Sequence, residues 1–289
     1  MTVRRLAAAL VLLWLGVPLH AEQRLTHPFL GITYIDRTES APRAVHMHVV
    51  QIDLTAPGLR FKLSPPAGGR EVVRQTTLDF LTQEHAQVAI NAHYFLPFPS
   101  AGREAWVIGI AASDGLVYSA FESPEQDYAL LKDAPAVNID QHNHAAIIHR
   151  GSDERHAAEP VTLWTTLAGS AQIVTRGAAS IPDLEWYRAA QARTAIGLSQ
   201  DGRTLTLFTV DKSGGSEGLQ VGEVADVLRR DYGVWDALNL DGGGSTTMAL
   251  EDPVTGTASM VNASSDKDPV AGRQVGSSLA VFARPIPDP

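Results

Sequence analysis

The segment of this sequence with the clearest capacity for chemistry runs from Leu238 to Thr247 and reads Leu-Asn-Leu-Asp-Gly-Gly-Gly-Ser-Thr-Thr. Alternate side chains of a strand point to opposite faces, so Leu240 is expected to face the core while Asn239 and Asp241 face the other way. The three glycines lack Cβ atoms, which lets the backbone bend and approach a ligand closely. We therefore expect an amide and a carboxylate at a strand end, followed by a loop whose N–H groups bind an anion or line a catalytic site. A glycine-rich hairpin with a polar strand end is the alternative.

A hairpin is predicted over residues 193–211, because 193–199 alternate, Asp201-Gly202 is a favoured turn dipeptide, and 204–211 return as a second strand. Antiparallel pairing places Arg193 and Asp211 at the same end of this hairpin. The register decides whether the two side chains share a face. A structural ion pair and a shared functional site both fit the sequence at this point.

The most regular helix is predicted over 220–232, where an apolar stripe recurs at helical spacing and Gly233 follows as a stop. Glu223 lies in its first turn, where it complements the helix dipole or contributes to a site. An 11-residue helix spans about 17 Å, and a strand returning over 237–241 is expected to bring Asp241 back beside Glu223.

The remaining elements complete a mixed pattern of many short strands and few helices. A strand over 88–91 ends at Asn91, and a helix over 76–85 is capped by Thr76 or Thr77. Further elements are predicted as strands over 30–35, 46–54 and 59–63, a hairpin over 107–118, and a short helix over 182–191 that Pro182 begins.

Four histidines lie in a polar stretch between about residues 141 and 159: His142, His144, His149 and His156. Their spacing matches no zinc pattern, and the sequence contains no cysteine. The interpretation as strand-face and loop histidines is favoured, and no metal site or other cofactor is predicted, although a divalent metal is not excluded.

Length and composition indicate an exported globular protein, with a mature chain long enough for one large domain or two small ones. Arg4 and Arg5 precede an apolar run that is too short for a membrane span and ends near Ala21, as in a secretory signal peptide. We predict a signal peptide over 1–21, one domain over 22–284 and a tail over 285–289. The net charge of −9 argues against binding to nucleic acid or an anionic membrane. A cysteine-free exported chain suits the bacterial periplasm or exterior, with no membrane span after signal removal.

Six segments taken in order resemble the phosphodiester glycosidase domain, from about residue 45 to residue 283. The segments are 89–95, Ala-Ile-Asn-Ala-His-Tyr-Phe; 193–197, Arg-Thr-Ala-Ile-Gly; 209–211, Thr-Val-Asp; Glu223 in its helix; 239–247, Asn-Leu-Asp-Gly-Gly-Gly-Ser-Thr-Thr; and Asn262 with Arg273. The resemblance implies an α+β fold, a single domain of mixed, largely antiparallel sheet with a few packed helices. His93 stands where the family has a small residue, so it either touches substrate or fills space.

The resemblance also implies a reaction, the hydrolysis of a sugar-1-phosphodiester at the C1–O bond, on an envelope or exopolysaccharide glycan. Ordinary glycosidases protonate the leaving alcohol, whereas a phosphate leaves as an anion and needs charge stabilisation. Arg193 is expected to grip two phosphate oxygens, with Arg273 as a second clamp. The carboxylate that activates water or attacks C1 is expected to be Asp241 first, Glu223 second and Asp211 third.

Donors complete the expected site. The backbone N–H groups of Gly242, Gly243, Gly244 and Ser245 and the hydroxyls of Ser245 and Thr246 are expected to bind phosphate. Asn91, Asn239 and Asn262 are expected to orient sugar hydroxyls or water. Two alternatives stay open: a metal-dependent phosphodiesterase that cuts P–O with Asp241, Asp211 and His93 as ligands, and a non-catalytic module that binds envelope polysaccharide. A serine hydrolase and a nucleotide phosphate loop lack their motifs.

Overall fold

The computed structural model describes residues 21–99, 102–122, 133–266 and 272–287. The predicted signal peptide lies outside the described residues except for Ala21, as do the last two residues of the predicted tail. No helix within these ranges is long and apolar enough to cross a membrane.

Short strands dominate the described chain, with two α-helices among them. In chain order the elements are β1 (Ala21–Phe29), β2 (Ile32–Glu39), β3 (Val45–Asp53), β4 (Arg60–Leu63), β5 (Val72–Val73), α1 (Thr77–Glu84), β6 (Val88–Asn91), β7 (Phe95–Leu96), β8 (Glu104–Val107), β9 (Ala111–Ser113), β10 (Leu116–Ser119), β11 (Ala136–Ile139), β12 (Ala145–Ile148), β13 (Thr165–Ala168), β14 (Ala171–Thr175), β15 (Ala178–Ala179), β16 (Arg193–Ser199), β17 (Thr204–Val210), α2 (Val221–Asp231), β18 (Val234–Asn239), β19 (Met248–Glu251), β20 (Ala258–Met260) and β21 (Ser278–Phe282).

The strands form four sheets. The large sheet has the order β1-β2-β3-β17-β16-β18-β14-β15, and the second has the order β20-β19-β6-β21-β4. The order β10-β9-β13-β11-β12 makes a third sheet, and β5-β8-β7 makes a small fourth one. Each strand pairing described for these sheets is antiparallel.

The large sheet and the second sheet stack face to face between the two helices. On one face of β3, Met47 and Val49 pack with Val224 and Leu228 of α2. On the other face, the β3 side chains, Val50 among them, point into a core shared with β6 and β21. On the far side of the second sheet, alanines of β6, β19 and β21 pack against Phe80 and Leu81 of α1. This four-layer order buries both faces of each large sheet.

Both helices begin and end where the sequence indicates. The hydroxyl of Thr76 accepts the N–H of Asp79 at the start of α1, and His85 ends the helix in the left-handed conformation at φ 56°. Gly233 follows α2 with φ 65°, a conformation that glycine adopts without strain. The helices predicted over 76–85 and 220–232 and the hairpin at Asp201-Gly202 are confirmed.

The expectation of largely antiparallel sheets with a few helices is confirmed, and the fold is predominantly β, because only two α-helices accompany the strands in the described residues. Two further expectations are corrected. The strand predicted over 30–35 is a hairpin of β1 and β2, turned at Gly31 with φ 74°. The helix predicted over 182–191 is a single 3₁₀ turn, Glu185–Tyr187. The turn ends there because the Arg193 guanidinium donates hydrogen bonds to the carbonyl oxygens of Trp186 and Ala189. In a longer helix these oxygens would accept backbone N–H groups instead.

Candidate active site

The chemically capable residues meet at one end of the stacked sheets. Asn239 pairs with Ala195 near the start of β16, and Asn91 ends β6 in the sheet opposite. The backbone N–H of Asp241 donates to the carbonyl oxygen of Ala92 at 3.1 Å, which ties the end of the large sheet to the second sheet. Leu238 and Leu240 both enter the core between these sheets, as the alternation predicts.

Asp241 lies between two adjoining cavities, each named here for its arginine. The Arg193 cavity has a volume of about 220 Å³, and the Arg273 cavity has a volume of about 240 Å³. The Arg193 cavity is lined by Tyr94, Trp186, Ala189, Gln191, Arg193, Asp241, Gly242 and Gly243. The Arg273 cavity is lined by Tyr94, Phe95, Leu96, Phe98, Ile108, Asp241, Ser245 and Arg273. Among these lining residues Asp241 alone carries a carboxylate.

The Asp241 carboxyl is nearly inaccessible, with 9% of the residue exposed. Burial raises its pKa to about 7, while a hydrogen bond from Ser245, the charge of Arg273 and the N–H of Gly242 act in the opposite direction. A carboxyl with this pKa exchanges a proton near neutral pH, which suits a general base or a nucleophile.

Arg193 is a buried cation held by backbone. Its Nε donates to the carbonyl oxygen of Leu219 at 3.2 Å, and its Nη2 donates to those of Trp186 and Ala189 at 2.9 and 2.7 Å. Burial lowers its pKa. Within the part of the chain that the structure describes, no carboxylate pairs with it and its Nη1 makes no hydrogen bond. The Arg193 cavity therefore contains a fixed positive charge with a free donor group.

Arg273 is oriented by two contacts on the other side of Asp241. Its Nε donates to the Asp266 carboxylate at 2.9 Å, and its Nη1 donates to the Ser245 hydroxyl at 3.2 Å. The guanidinium lies 4.6 Å from the centre of the Phe98 ring. Because Asp266 partly offsets its charge, Arg273 is a weaker anion site than Arg193.

Two of the three asparagines that were expected to orient sugar hydroxyls or water form hydrogen bonds with backbone groups instead. Asn91 donates to the carbonyl oxygen of Asp241 at 2.7 Å, and its Oδ1 accepts from Thr247 N–H and the Thr194 hydroxyl. Asn262 accepts from Met248 N–H at 2.7 Å and donates to the carbonyl oxygen of Thr246 at 3.1 Å. These contacts fix the glycine loop between its two anchored ends, so both residues position the site.

Asn239 is the asparagine with an unused acceptor. Its Nδ2 lies 3.2 Å from the Tyr94 hydroxyl and 2.9 Å from that of Ser170, and its buried Oδ1 has no partner among the described residues. Burial and the Asp241 charge raise the pKa of the Tyr94 phenol, which therefore stays protonated. Tyr94 lines both cavities and forms an edge-to-face contact with Trp186 at 6.1 Å.

Most N–H groups of the glycine loop already have acceptors within the protein, which leaves few of them for the phosphate that they were expected to bind. Gly243 N–H donates to Ala192, Ser245 N–H to Gly242, and Thr246 N–H to Gly243. Gly242 N–H is directed at the Asp241 carboxyl. Among the described residues 242–246, only the N–H of Gly244 has no acceptor within the protein. The loop therefore serves to position the Asp241 carboxylate more than to bind an anion.

Each of the three loop positions favours glycine. At two of them a side chain would clash with a neighbour, and at the third the backbone conformation disfavours one. A Cβ on Gly242 would lie 2.9 Å from the carbonyl oxygen of Ala192, and one on Gly244 would lie 2.7 Å from Cζ of Arg273. Gly243 has open space around it but a φ of 59°, which side-chain-bearing residues rarely adopt. The Ser245 and Thr246 side chains are buried beneath the loop.

His93 does not line either cavity and fills space between strands. Its Nε2 lies 2.8 Å from the backbone nitrogen of Ala168 and 3.1 Å from the carbonyl oxygen of Ile110, and its Nδ1 lies 2.8 Å from the Ser277 hydroxyl. Burial lowers the pKa of His93 to about 4, which keeps the ring neutral. Of the two interpretations of this residue, the geometry favours the structural one.

The structure does not bring Glu223 and Asp211 to the cavities. Glu223 accepts the N–H of Gln220 at 2.7 Å and pairs with Arg43, which makes it the acidic member of a capping box. Arg193 pairs with Val210 in the register, so Asp211, one residue further, faces the other side of the sheet. The ligands expected of a metal-dependent phosphodiesterase, Asp241, Asp211 and His93, thus hydrogen-bond in three separate places.

Sequence reasoning missed the aromatic walls of the two cavities. Tyr94 and Phe95 lay within a motif, but the proline-marked loop after them and the segment predicted as a helix carried no signal for Phe98 or Trp186. Thr194, which anchors Asn91, sat inside a quoted segment beside Arg193. Its pairing with a residue 103 positions away in the chain is a tertiary contact that spacing does not show.

A layered β structure with a buried carboxylate between two arginine-lined cavities defines a candidate glycan- or phosphate-processing site. The family model for phosphodiester glycosidases matches residues 84–282, and the chain belongs to this family. The comparison with curated proteins found no match.

Solved structures share the fold at low sequence identity. The catalytic domain of zebrafish N-acetylglucosamine-1-phosphodiester α-N-acetylglucosaminidase, auto-inhibited by its pro-peptide, is 19% identical, with a TM-score of 0.63, over 94% of this chain and 85% of that one. A Burkholderia pseudomallei protein described as exported is 14% identical, with a TM-score of 0.66, over 97% and 100% of the two chains. A Synechocystis protein of unstated function is 17% identical, with a TM-score of 0.58, over 88% and 62%.

Proposed function

We propose that this chain hydrolyses a sugar-1-phosphodiester by cleaving the C1–O bond, releasing free sugar and a phosphomonoester. The observation that carries the proposal is the single carboxylate between the two cavities. Ordinary glycosidases need a second carboxylic acid to protonate the leaving group. A phosphomonoester leaves as a stable anion, so a fixed cation serves in place of that acid.

The two cavities divide the substrate between them in this proposal. The phosphate occupies the Arg193 cavity, because Arg193 has no carboxylate partner in the described chain and presents a free Nη1 group. The sugar occupies the Arg273 cavity, whose wall of Tyr94, Phe95 and Phe98 offers aromatic surface to a pyranose ring. C1 then lies beside Asp241, at the junction of the cavities.

Asp241 acts as the base in the step that breaks the bond. A water molecule attacks C1 and transfers a proton to the Asp241 carboxylate, while the C1–O electron pair leaves with the phosphate. The negative charge that develops on the leaving oxygen is stabilised by Arg193, a type of interaction that contributes about 10²–10³ in rate per donor. Ser245 and Arg273 hold the carboxylate in place.

The expected site of action is the bacterial periplasm or exterior, on an envelope or exopolysaccharide glycan. The apolar run after Arg4 and Arg5 supports export. The Burkholderia relative described as exported has the same fold.

Substitution of two candidate carboxylates tests the assignment. Asp241→Asn is expected to lower kcat on a sugar-1-phosphodiester by at least about 10³-fold, with an unchanged circular dichroism spectrum. Glu223→Gln is the matched control, because it removes a carboxylate that lies outside the cavities. Wild-type turnover by Asp241→Asn contradicts the proposal. Retained binding of intact polysaccharide by a wild-type chain with no turnover supports the non-catalytic alternative instead.

A further inference from the structure

A second polar cluster lies at the same end of the large sheet, on strands that are two to four positions from β18, the strand that leads into Asp241. It consists of Tyr34 and Asp36 on β2, His46 and His48 on β3, and Asp211 directly after β17. Strands are spaced by about 4.8 Å, so these three strands lie about 10–20 Å from β18. The cluster belongs to neither cavity.

The two imidazoles converge on one carboxylate oxygen. Asp211 Oδ2 lies 3.4 Å from His48 Nε2 and 3.6 Å from His46 Nδ1. The two histidine rings are 4.2 Å apart, centre to centre. Ligands bonded to zinc at 2.0–2.1 Å in a tetrahedron lie about 3.4 Å from one another. The distances from Asp211 Oδ2 to the two ring nitrogens therefore match the spacing of ligands around one metal ion, and both are long for direct hydrogen bonds.

The outer nitrogen of each ring is held by a polar partner. His46 Nε2 contacts the Asp36 carboxylate at 2.6 Å, and His48 Nδ1 contacts the Tyr34 hydroxyl at 2.8 Å. Metal-binding histidines almost always use their second nitrogen in this way, which fixes the ring and sets the tautomer. Ligand-capable atoms of Asp36, His46 and His48 also lie within 4.8 Å of one another.

Asp211 lacks the compensation that a buried carboxylate requires. The residue has no exposed surface. Its Oδ2 accepts the N–H of Ala263 at 3.0 Å and contacts the two histidines, but its Oδ1 has no hydrogen-bond partner and no lysine or arginine pairs with it in the described part of the chain. A buried carboxylate that no permanent cation neutralises costs several kcal/mol. A cation between Asp211 and the two rings removes that cost.

We propose that His46 Nδ1, His48 Nε2 and Asp211 Oδ2 bind one divalent transition-metal ion, with Zn²⁺ as the preferred metal. Two imidazoles and one carboxylate suit zinc, whereas Ca²⁺ and Mg²⁺ take oxygen ligands. Asp36 and Tyr34 position the histidines. The ion joins β3 to β17 and, through Ala263, to the loop that begins with Asn262. Its role is structural support next to the catalytic site.

Metal binding by the untagged, chelator-stripped full chain tests this site directly. Titration with Co²⁺ is expected to give the intense visible d–d absorption of a tetrahedral site and to saturate at one ion per chain, and Zn²⁺ is expected to displace it and raise Tm. No d–d absorption and no Tm shift would overturn the proposal without reference to any variant.

Variants then assign the ligands. His48→Ala and Asp211→Asn are expected to abolish the Co²⁺ absorption, and Asp36→Asn is expected to weaken metal binding by about 10–100-fold. His144→Ala is the matched control, because it removes an exposed histidine that also contacts an aspartate. Wild-type affinity in both His48→Ala and Asp211→Asn, with native circular dichroism, contradicts the assignment. The readout is binding rather than turnover, so its failure leaves the proposed hydrolysis standing.

Discussion

Asn91 donates a hydrogen bond from its buried Nδ2 to the backbone carbonyl oxygen of Asp241 at 2.7 Å. The same side chain accepts from Thr247 N–H, on the far side of the three glycines. One amide thus spans the glycine loop from one end to the other and fixes the backbone on which the proposed catalytic carboxylate is mounted.

Asn91→Asp tests this positioning role with little change in side-chain volume. The carboxylate replaces the donor that faces the Asp241 carbonyl with an acceptor, inside a fully buried site. We expect a loss of about 2–4 kcal/mol in the free energy of unfolding and a lower kcat, because the loop loses its anchor. Thermal unfolding and turnover measure the two effects. A wild-type kcat in a measurably destabilised protein would show that Asn91 supports the fold but does not position Asp241 for catalysis.

The pH profile of kcat/KM tests the role of Asp241. Because burial raises the pKa of Asp241 to about 7, a base at this position is protonated and inactive below that pH. We expect kcat/KM to fall about tenfold per pH unit as the pH decreases below 7. Arg273 lowers this pKa, so Arg273→Gln is expected to move the acidic limb to higher pH. A rate that rises as the pH falls would identify Asp241 as an acid instead.

Arg193→Ala tests the position of the phosphate. Loss of the buried guanidinium is expected to lower kcat/KM on a sugar-1-phosphodiester by about 10²–10³-fold and to affect a neutral aryl glycoside far less. The ratio between the two substrates is the readout, because a disturbed fold lowers both rates together. Arg188→Ala, an exposed arginine beside the same 3₁₀ turn, is the control. Equal losses on both substrates would remove Arg193 from the phosphate site.

Gly244→Ala tests the contact between the glycine loop and Arg273. The added methyl group overlaps the Arg273 guanidinium, which must move and give up its hydrogen bond to Ser245. We expect a folded protein whose kcat falls at least about tenfold. Gly222→Ala, in α2 with its nearest atom 3.9 Å away, is expected to keep activity and to gain up to about 1 kcal/mol in stability. Equal kinetics for the two variants would contradict the role of this contact.

The local elements of the fold were predictable, because caps, turns and alternation are encoded within a few residues of each other. Thr76, Gly233 and the Asp201-Gly202 turn each marked the boundary that the structure shows. The 3₁₀ turn that replaces the predicted helix depends on Arg193, which reaches it from the next strand. The pairing of the two stacked sheets likewise depends on contacts between residues far apart in the chain.

The part of the candidate site that lies in one continuous segment was predictable from the sequence. The part that depends on how strands pair was not predictable. The segment from Asn239 to Thr247 indicated Asp241 correctly as a strand-end residue beside a glycine loop. Arg193 and Asp211 lie at the same end of one hairpin, but a register offset of one residue turns them to opposite faces. His46 and His48 are two residues apart on β3 and so share a face, yet their partners on β2 became visible only with the strand pairing.

Product analysis in oxygen-18 water distinguishes cleavage of the C1–O bond from cleavage of the P–O bond. Hydrolysis of a sugar-1-phosphodiester by the wild-type chain is followed by mass measurement of both products, with Asp241→Asn as the blank. We expect the label to enter the sugar at C1 and the released phosphomonoester to carry none. Label in the phosphomonoester, with none in the sugar, would show that the P–O bond breaks and would contradict the proposed hydrolysis.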